Sequence, residues 1–208
     1  MKQFFLVCIL SLILSCIGST IVRADETDSK TKDFVGKVIL AGGGEEKLLK
    51  LFRLKEQFNS GKTLVSPGTP RVSVVEPPRY WWLGKKERTT EPAKFAVWAW
   101  TLGILTDPKS KIELIDDLAD NGKSLAGLRV TGSVTPALDM YFDKTNFQLD
   151  RIDWRNDIYR FSEWKEHDGA KYPSKCVMYR RNSGVPWFYH EIISVERLME
   201  LPSGLKRE

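Results

Sequence analysis

The hydrophobic positions change their period along the chain, and each change predicts an element. Phe34, Val35, Val38 and Ile39 recur at helical spacing, and apolar residues resume at Leu48 and Leu49. Gly42-Gly43-Gly44 interrupts the run, which predicts a helix, a glycine corner and a second short helix. From Leu51 to Asn59 the pattern alternates. Leu51, Arg53, Lys55 and Gln57 fall on one side, and Phe52, Leu54 and Phe58 mostly on the other, as in a half-buried strand. Ser60 to Pro70 reads as a loop rich in Gly, Ser and Pro. Arg71–Val75 and Tyr80–Leu83 read as short strands, with Pro77-Pro78 an extended break between them.

Phe95 to Leu105, FAVWAWTLGIL, is the most apolar stretch beyond the N-terminal region, and its length lies between those of a strand and a helix. Phe95, Trp98, Leu102 and Leu105 share one helical face, so a helix is predicted, ended by Asp107-Pro108. Strands are then predicted near 111–116, 126–134, 137–142, 147–155, 158–167, 171–181 and 186–197. Turn chemistry separates them at Asp143–Asn146, Asn156-Asp157, Asp168-Gly169 and Asn182–Gly184. Sequential hairpins make an antiparallel sheet, and one this large must curl or close to cover its apolar face. The predicted class is α+β, mainly β.

The N-terminus changes the picture of where this sheet works. Lys2, the apolar run Phe4–Leu14 and Val22-Arg23-Ala24 form a three-part secretory signal, with cleavage expected before Asp25. The apolar run is too short to span a bilayer. Ile13-Leu14-Ser15-Cys16 also resembles a lipobox, so lipidation at Cys16 stays open as the alternative. The expected organisation is a signal peptide over 1–24, a polar, disordered leader over 25–33 and a single domain over 34–208.

Charge and cysteine content then exclude several function classes. Residues 1–24 hold Lys2 and Arg23 and no acid, so cleavage lowers the net charge from +5 to +3. Basic residues alternate with acids throughout, unlike the clustered bases of a nucleic-acid binder. Of three cysteines Cys176 alone lies beyond the leader, which leaves no internal disulfide and requires the core to hold the domain.

No motif for a catalytic, metal or cofactor site is legible. Two histidines and Cys176 show no ligand spacing, and GxSxG and HExxH are absent. Gly42–Gly44 lacks the phosphate-loop spacing, and Glu45-Glu46 suit the positive end of the following helix. Asp116-Asp117 read as part of a solvated loop continuing to Gly122. In the hairpin over 160–181, an Asp168-Gly169 turn sets Glu166 opposite Lys171 as an ion pair, Phe161 opposite Cys176 and Tyr159 opposite Met178. That register gathers Tyr159, Phe161, Cys176 and Met178 on one apolar patch and parts Cys176 from His167. The seven tryptophans fit either a large aromatic core or the lining of an apolar ligand cavity.

Three segments carry a resemblance. AGGGEEKLLKLFRLKEQF resembles the N-terminal signature of LolA-like outer-membrane lipoprotein-sorting proteins, and MYFDKTNFQLDRIDW and FSEWKEHDGAKYPSKCVMYR resemble two of their hairpins, in the same order. The resemblance implies a strongly curved antiparallel sheet, an incomplete β-barrel with helices covering its open side and an apolar concavity for acyl chains of lipids or lipoproteins. It implies a periplasmic carrier rather than an enzyme, without a cofactor, with a membrane or membrane protein as a further partner class. A monomer is expected. Phe95, Trp98, Trp100, Leu102, Leu105, Tyr159, Phe161 and Met178 are the expected cavity or lid residues. The alternative is an interaction or sensor module on the same scaffold with a filled core. A hydrolase would need a polar cleft that gathers His167 or His190 with carboxylates.

Overall fold

A computed structural model of the chain describes Glu26 and residues 28–61, 63, 67–87 and 90–207. The signal segment, its cleavage site before Asp25 and Cys16 lie outside these residues. Residues up to Gly36 and residues from Lys37 onward form two compact units. The first is helical from residue 28, where a disordered leader was expected. Its polar sequence suits an exposed helix, because Glu26 and Asp28 stand four residues before Lys30 and Lys32 and pair with them at 2.7 and 2.5 Å. Helix α1 covers residues 28–41.

The second unit holds the sheet. Its strands are β1 (Phe52–Ser60), β2 (Thr69–Glu76), β3 (Tyr80–Leu83), β4 (Lys86–Glu87), β5 (Lys111–Asp120), β6 (Lys123–Thr131), β7 (Leu138–Asp143), β8 (Leu149–Trp154), β9 (Asp157–His167), β10 (Ala170–Arg180) and β11 (Pro186–Arg197). All pair antiparallel in one sheet of order β4-β3-β2-β1-β11-β10-β9-β8-β7-β6-β5. Sheet neighbours are chain neighbours except at one seam, where β1 meets β11. The seam leaves β4 and β5 at opposite edges, so the sheet is not closed. The segment between them must cross from edge to edge, and it carries helix α2 (Glu91–Trp100).

Pro92 in the first turn suits the start of α2, since its missing N–H has no helical acceptor there. The helix ends at Trp100, five residues short of the predicted end. Leu102 adopts a left-handed backbone with φ 63°, and a 3-10 turn follows at Gly103–Thr106. Gly103 allows this fold-back, because a Cβ there would stand 2.8 Å from Trp98 Cδ1. Phe95 and Trp98 are therefore helical, whereas Leu102 and Leu105 belong to the turn. The predicted common face of four is not formed.

The remaining hairpins follow their turns. Asp168 and Gly169 have φ of 50° and 78°, as a type I′ turn requires, and pair Phe161 with Cys176 and Tyr159 with Met178. Lys175 pairs with Glu163 at 2.6 Å, and the expected Glu166–Lys171 ion pair is not formed among the described residues. Glu163 has φ 54°, which swings its side chain out of strand alternation. Asp116-Asp117 lie in β5 beside a register shift between Ile115 and Leu118, not in a loop. The turn is made by Asn121-Gly122, both left-handed, so the strand runs further than its apolar alternation does. The glycine corner after α1 docks on the β9–β10 turn: Lys171 N–H donates to Gly42 O at 2.9 Å, and a Cβ on Gly43 would lie 1.9 Å from Gly169 O.

Burial divides the sheet. Leu128 on β6, Leu138, Met140 and Phe142 on β7 and Ile152 on β8 are fully buried, which makes the β6–β8 half a packed core. Beneath α2 the inner face of β1–β3 and β9–β11 is hollow.

Candidate functional site

A cavity of about 730 Å³ lies between α2 and six strands. Pro92, Ala93, Ala96, Val97 and Trp100 line it from α2. These small residues let the helix stand off the sheet, while Trp100 meets Phe52 edge-on at 6.2 Å and anchors its end. Lys94 ties the start of α2 to β4 by an ion pair with Glu87 and to the β2–β3 turn by a 2.9 Å hydrogen bond to Arg79 O.

Of the sequence-predicted residues, Trp100, Tyr159, Phe161 and Met178 line this cavity. Phe95 and Trp98 turn toward the packed half, where Phe95 meets Trp154 at 6.1 Å. Leu102 and Leu105 are buried away from the cavity. Six of the seven tryptophans divide between the two expected roles. Trp82, Trp98 and Trp154 are core, whereas Trp81, Trp100 and Trp187 line the cavity.

Sequence reasoning missed the wall made by β1, β2 and β11. Phe58 and Phe188 stack at 5.7 Å, with His190 stacked on Phe188 at 6.4 Å. Behind them sits a charged cluster. Glu56 points inward from β1 with no side-chain exposure. It accepts from Arg71 Nε at 2.7 Å, from Ser73 Oγ at 2.7 Å and from His190 Nε2. Burial pushes the Glu56 carboxyl up, but hydrogen bonds from His190 and Arg71, with their charges, outweigh it and hold the group at about 2. Arg71 lies over the Phe58 ring at 4.7 Å and near the Trp81 ring at 5.2 Å.

Cys176 stands directly opposite His190 on the neighbouring strand and also lines the cavity. The two form no hydrogen bond among the described contacts, and burial pushes the thiol well above its ordinary range, which disfavours the nucleophilic thiolate. His190 does meet a carboxylate, but that carboxylate already holds three donors and the surroundings are aromatic. His167 lies at the hairpin tip, 3.2 Å from Asp168. Among the described residues no group of three His, Cys, Asp or Glu side chains is placed to hold a metal ion. Arg53 is on the outer face, paired with Glu196.

No protein-family model matches the chain, and no curated protein matches it. Among solved structures, the putative outer membrane lipoprotein-sorting protein domain from Vibrio parahaemolyticus superposes with a TM-score of 0.50 at 8% identity, over 84% of this chain and 95% of that one. A LolA superfamily protein from Nitrosomonas europaea gives 0.49 at 9% identity, over 83% and 94%. A DUF1329 family protein from Desulfovibrio piger gives 0.49 at 11%, over 83% and 95%. The chain thus has the fold of a LolA-like lipoprotein-sorting domain, an unclosed antiparallel sheet with helices, reached at very low sequence identity.

Proposed function

We propose that the chain is an exported, periplasmic binding protein that carries an acyl chain of a lipid or lipoprotein in the cavity beneath α2. It acts as a monomer and without covalent chemistry. The observation that carries this reading is the cavity itself, whose volume is within the ~300–1,000 Å³ typical of small-molecule sites. Its walls are mostly aromatic and aliphatic. Burying an alkyl chain there contributes about 0.8 kcal/mol per methylene, enough over a long chain to offset the ordering of the ligand. Entry requires α2 to move off the sheet, and Lys94 with its partners Glu87 and Arg79 forms the contact to be released. An interaction or sensor module with a filled core is the alternative, and a cavity of this size favours the carrier over it.

The test is organic extraction of the purified protein followed by mass spectrometry, with displacement of a fluorescent fatty acid as the second measurement. Co-purifying lipid and saturable displacement are expected. Neither lipid nor displacement would sink the reading.

A further inference from the structure

The charged cluster in the cavity wall has a directional feature. Arg71 spends Nε on Glu56, and aromatic rings flank its guanidinium. Its terminal nitrogens Nη1 and Nη2 donate to no other described residue, although the side chain is largely buried and lines the cavity. Both nitrogens remain accessible from the cavity, so they stand as donors that an occupant's head group can meet. The other charges around the cavity offer no such edge. Glu56 is saturated by three donors, and Asp157 accepts from Arg180 at 2.9 Å and Trp187 Nε1 at 3.0 Å.

We propose that the cavity selects a single-chain fatty acid, whose carboxylate accepts the fork of Arg71 Nη1 and Nη2 while its alkyl chain runs beneath α2. This rests on the carrier reading and adds the head group to it. A carboxylate matches the planar fork in shape and charge. Arg71 already pairs with Glu56, and Asp157 with Arg180. A doubly charged phosphate monoester brings twice the negative charge of a carboxylate into this apolar site and so costs more to desolvate. An alcohol of equal chain length fills the same space but leaves the fork half satisfied. Glu56, Ser73 and His190 act as positioning residues that hold Arg71 from behind.

The experiment measures binding of palmitic acid, hexadecanol and monohexadecyl phosphate to delipidated protein, its Arg71→Met variant and an E56Q/R71M double variant. The double variant leaves no buried carboxylate unpaired, which guards against simple misfolding. Wild-type protein is expected to bind palmitate about 10-fold or more tightly over each of the other two ligands. In both variants palmitate falls to the level of hexadecanol, whose own affinity changes by less than about 2-fold. Equal binding of palmitate and hexadecanol by wild type, tighter binding of the phosphate, or a palmitate preference that survives in the variants would overturn the head-group assignment while leaving the carrier reading intact. Binding of none of the three ligands by wild type would overturn both.

Discussion

Arg71 Nε lies 2.7 Å from Glu56 Oε1, and the two residues stand directly opposite each other on β1 and β2. An ion pair at this point makes the cavity wall sensitive to acid. The Glu56 carboxyl is held at about 2, below its ordinary value of 4.5. Its folded pKa is depressed, so its contribution is complete above pH 4.5 and is lost as pH falls toward 2. The loss amounts to roughly 3 kcal/mol. Urea unfolding followed between pH 6 and pH 2 should show this slope, and Glu56→Gln should remove that part of it. Asp120 and Asp143 are also held low, so the difference between wild type and variant is the quantity to read. An unchanged slope in Glu56→Gln would place the acid sensitivity elsewhere.

Filling the cavity should separate binding from stability. Ala96 on α2 is buried and lines the cavity, so Ala96→Phe extends a ring into the space where a ligand would lie. Fatty-acid affinity is expected to fall by about 10-fold or more, while thermal stability stays level or rises because the ring gains apolar contact. A large loss of stability would show that the helix has no room to accept the ring.

Cys176 reports on occupancy. Burial raises its thiol far above the ordinary range, so iodoacetamide should modify it slowly in the folded protein at pH 8, and fast after denaturation. Because Cys176 lines the cavity, saturating fatty acid should slow modification further, by about 5-fold or more in a first-order rate. Ligand binding that leaves the rate unchanged would place the ligand elsewhere.

The glycine corner that follows α1 meets the β9–β10 turn through Gly42 and Gly43. Gly43 has φ 109° and a Cβ would overlap Gly169 O, so Gly43→Ala combines backbone strain with a steric clash. A loss of about 2–4 kcal/mol is expected by urea denaturation. A near-neutral result would show that the corner can part from the turn without cost.

The hairpins were legible in sequence because their turns are local. Asp168-Gly169 sets a register that follows from two residues, and Tyr159, Phe161 and Met178 reach the cavity as that register requires. The end of α2 was not legible. Phe95, Trp98, Leu102 and Leu105 keep a helical period in sequence, but Leu102 turns left-handed where Gly103 lets the chain fold back against Trp98. The β1–β11 seam has no local signal at all, since strands far apart in the chain make it. With the seam hidden, the meeting of Glu56 with His190 was hidden too. One trace of it was present: Phe52, Leu54 and Phe58 mark the inward side of β1, and Glu56 falls on that same side. A carboxylate in an inward-facing register demands partners, and the structure supplies three.

The most direct measurement of the central claim is anomalous diffraction from crystals grown with a fatty acid brominated at mid-chain. A bromine peak is predicted beneath α2, between Ala96 or Trp100 on the helix and Tyr159 or Phe161 on the sheet. A peak on the outer face of the sheet, or no ordered bromine beneath α2 at saturating ligand, would contradict the account.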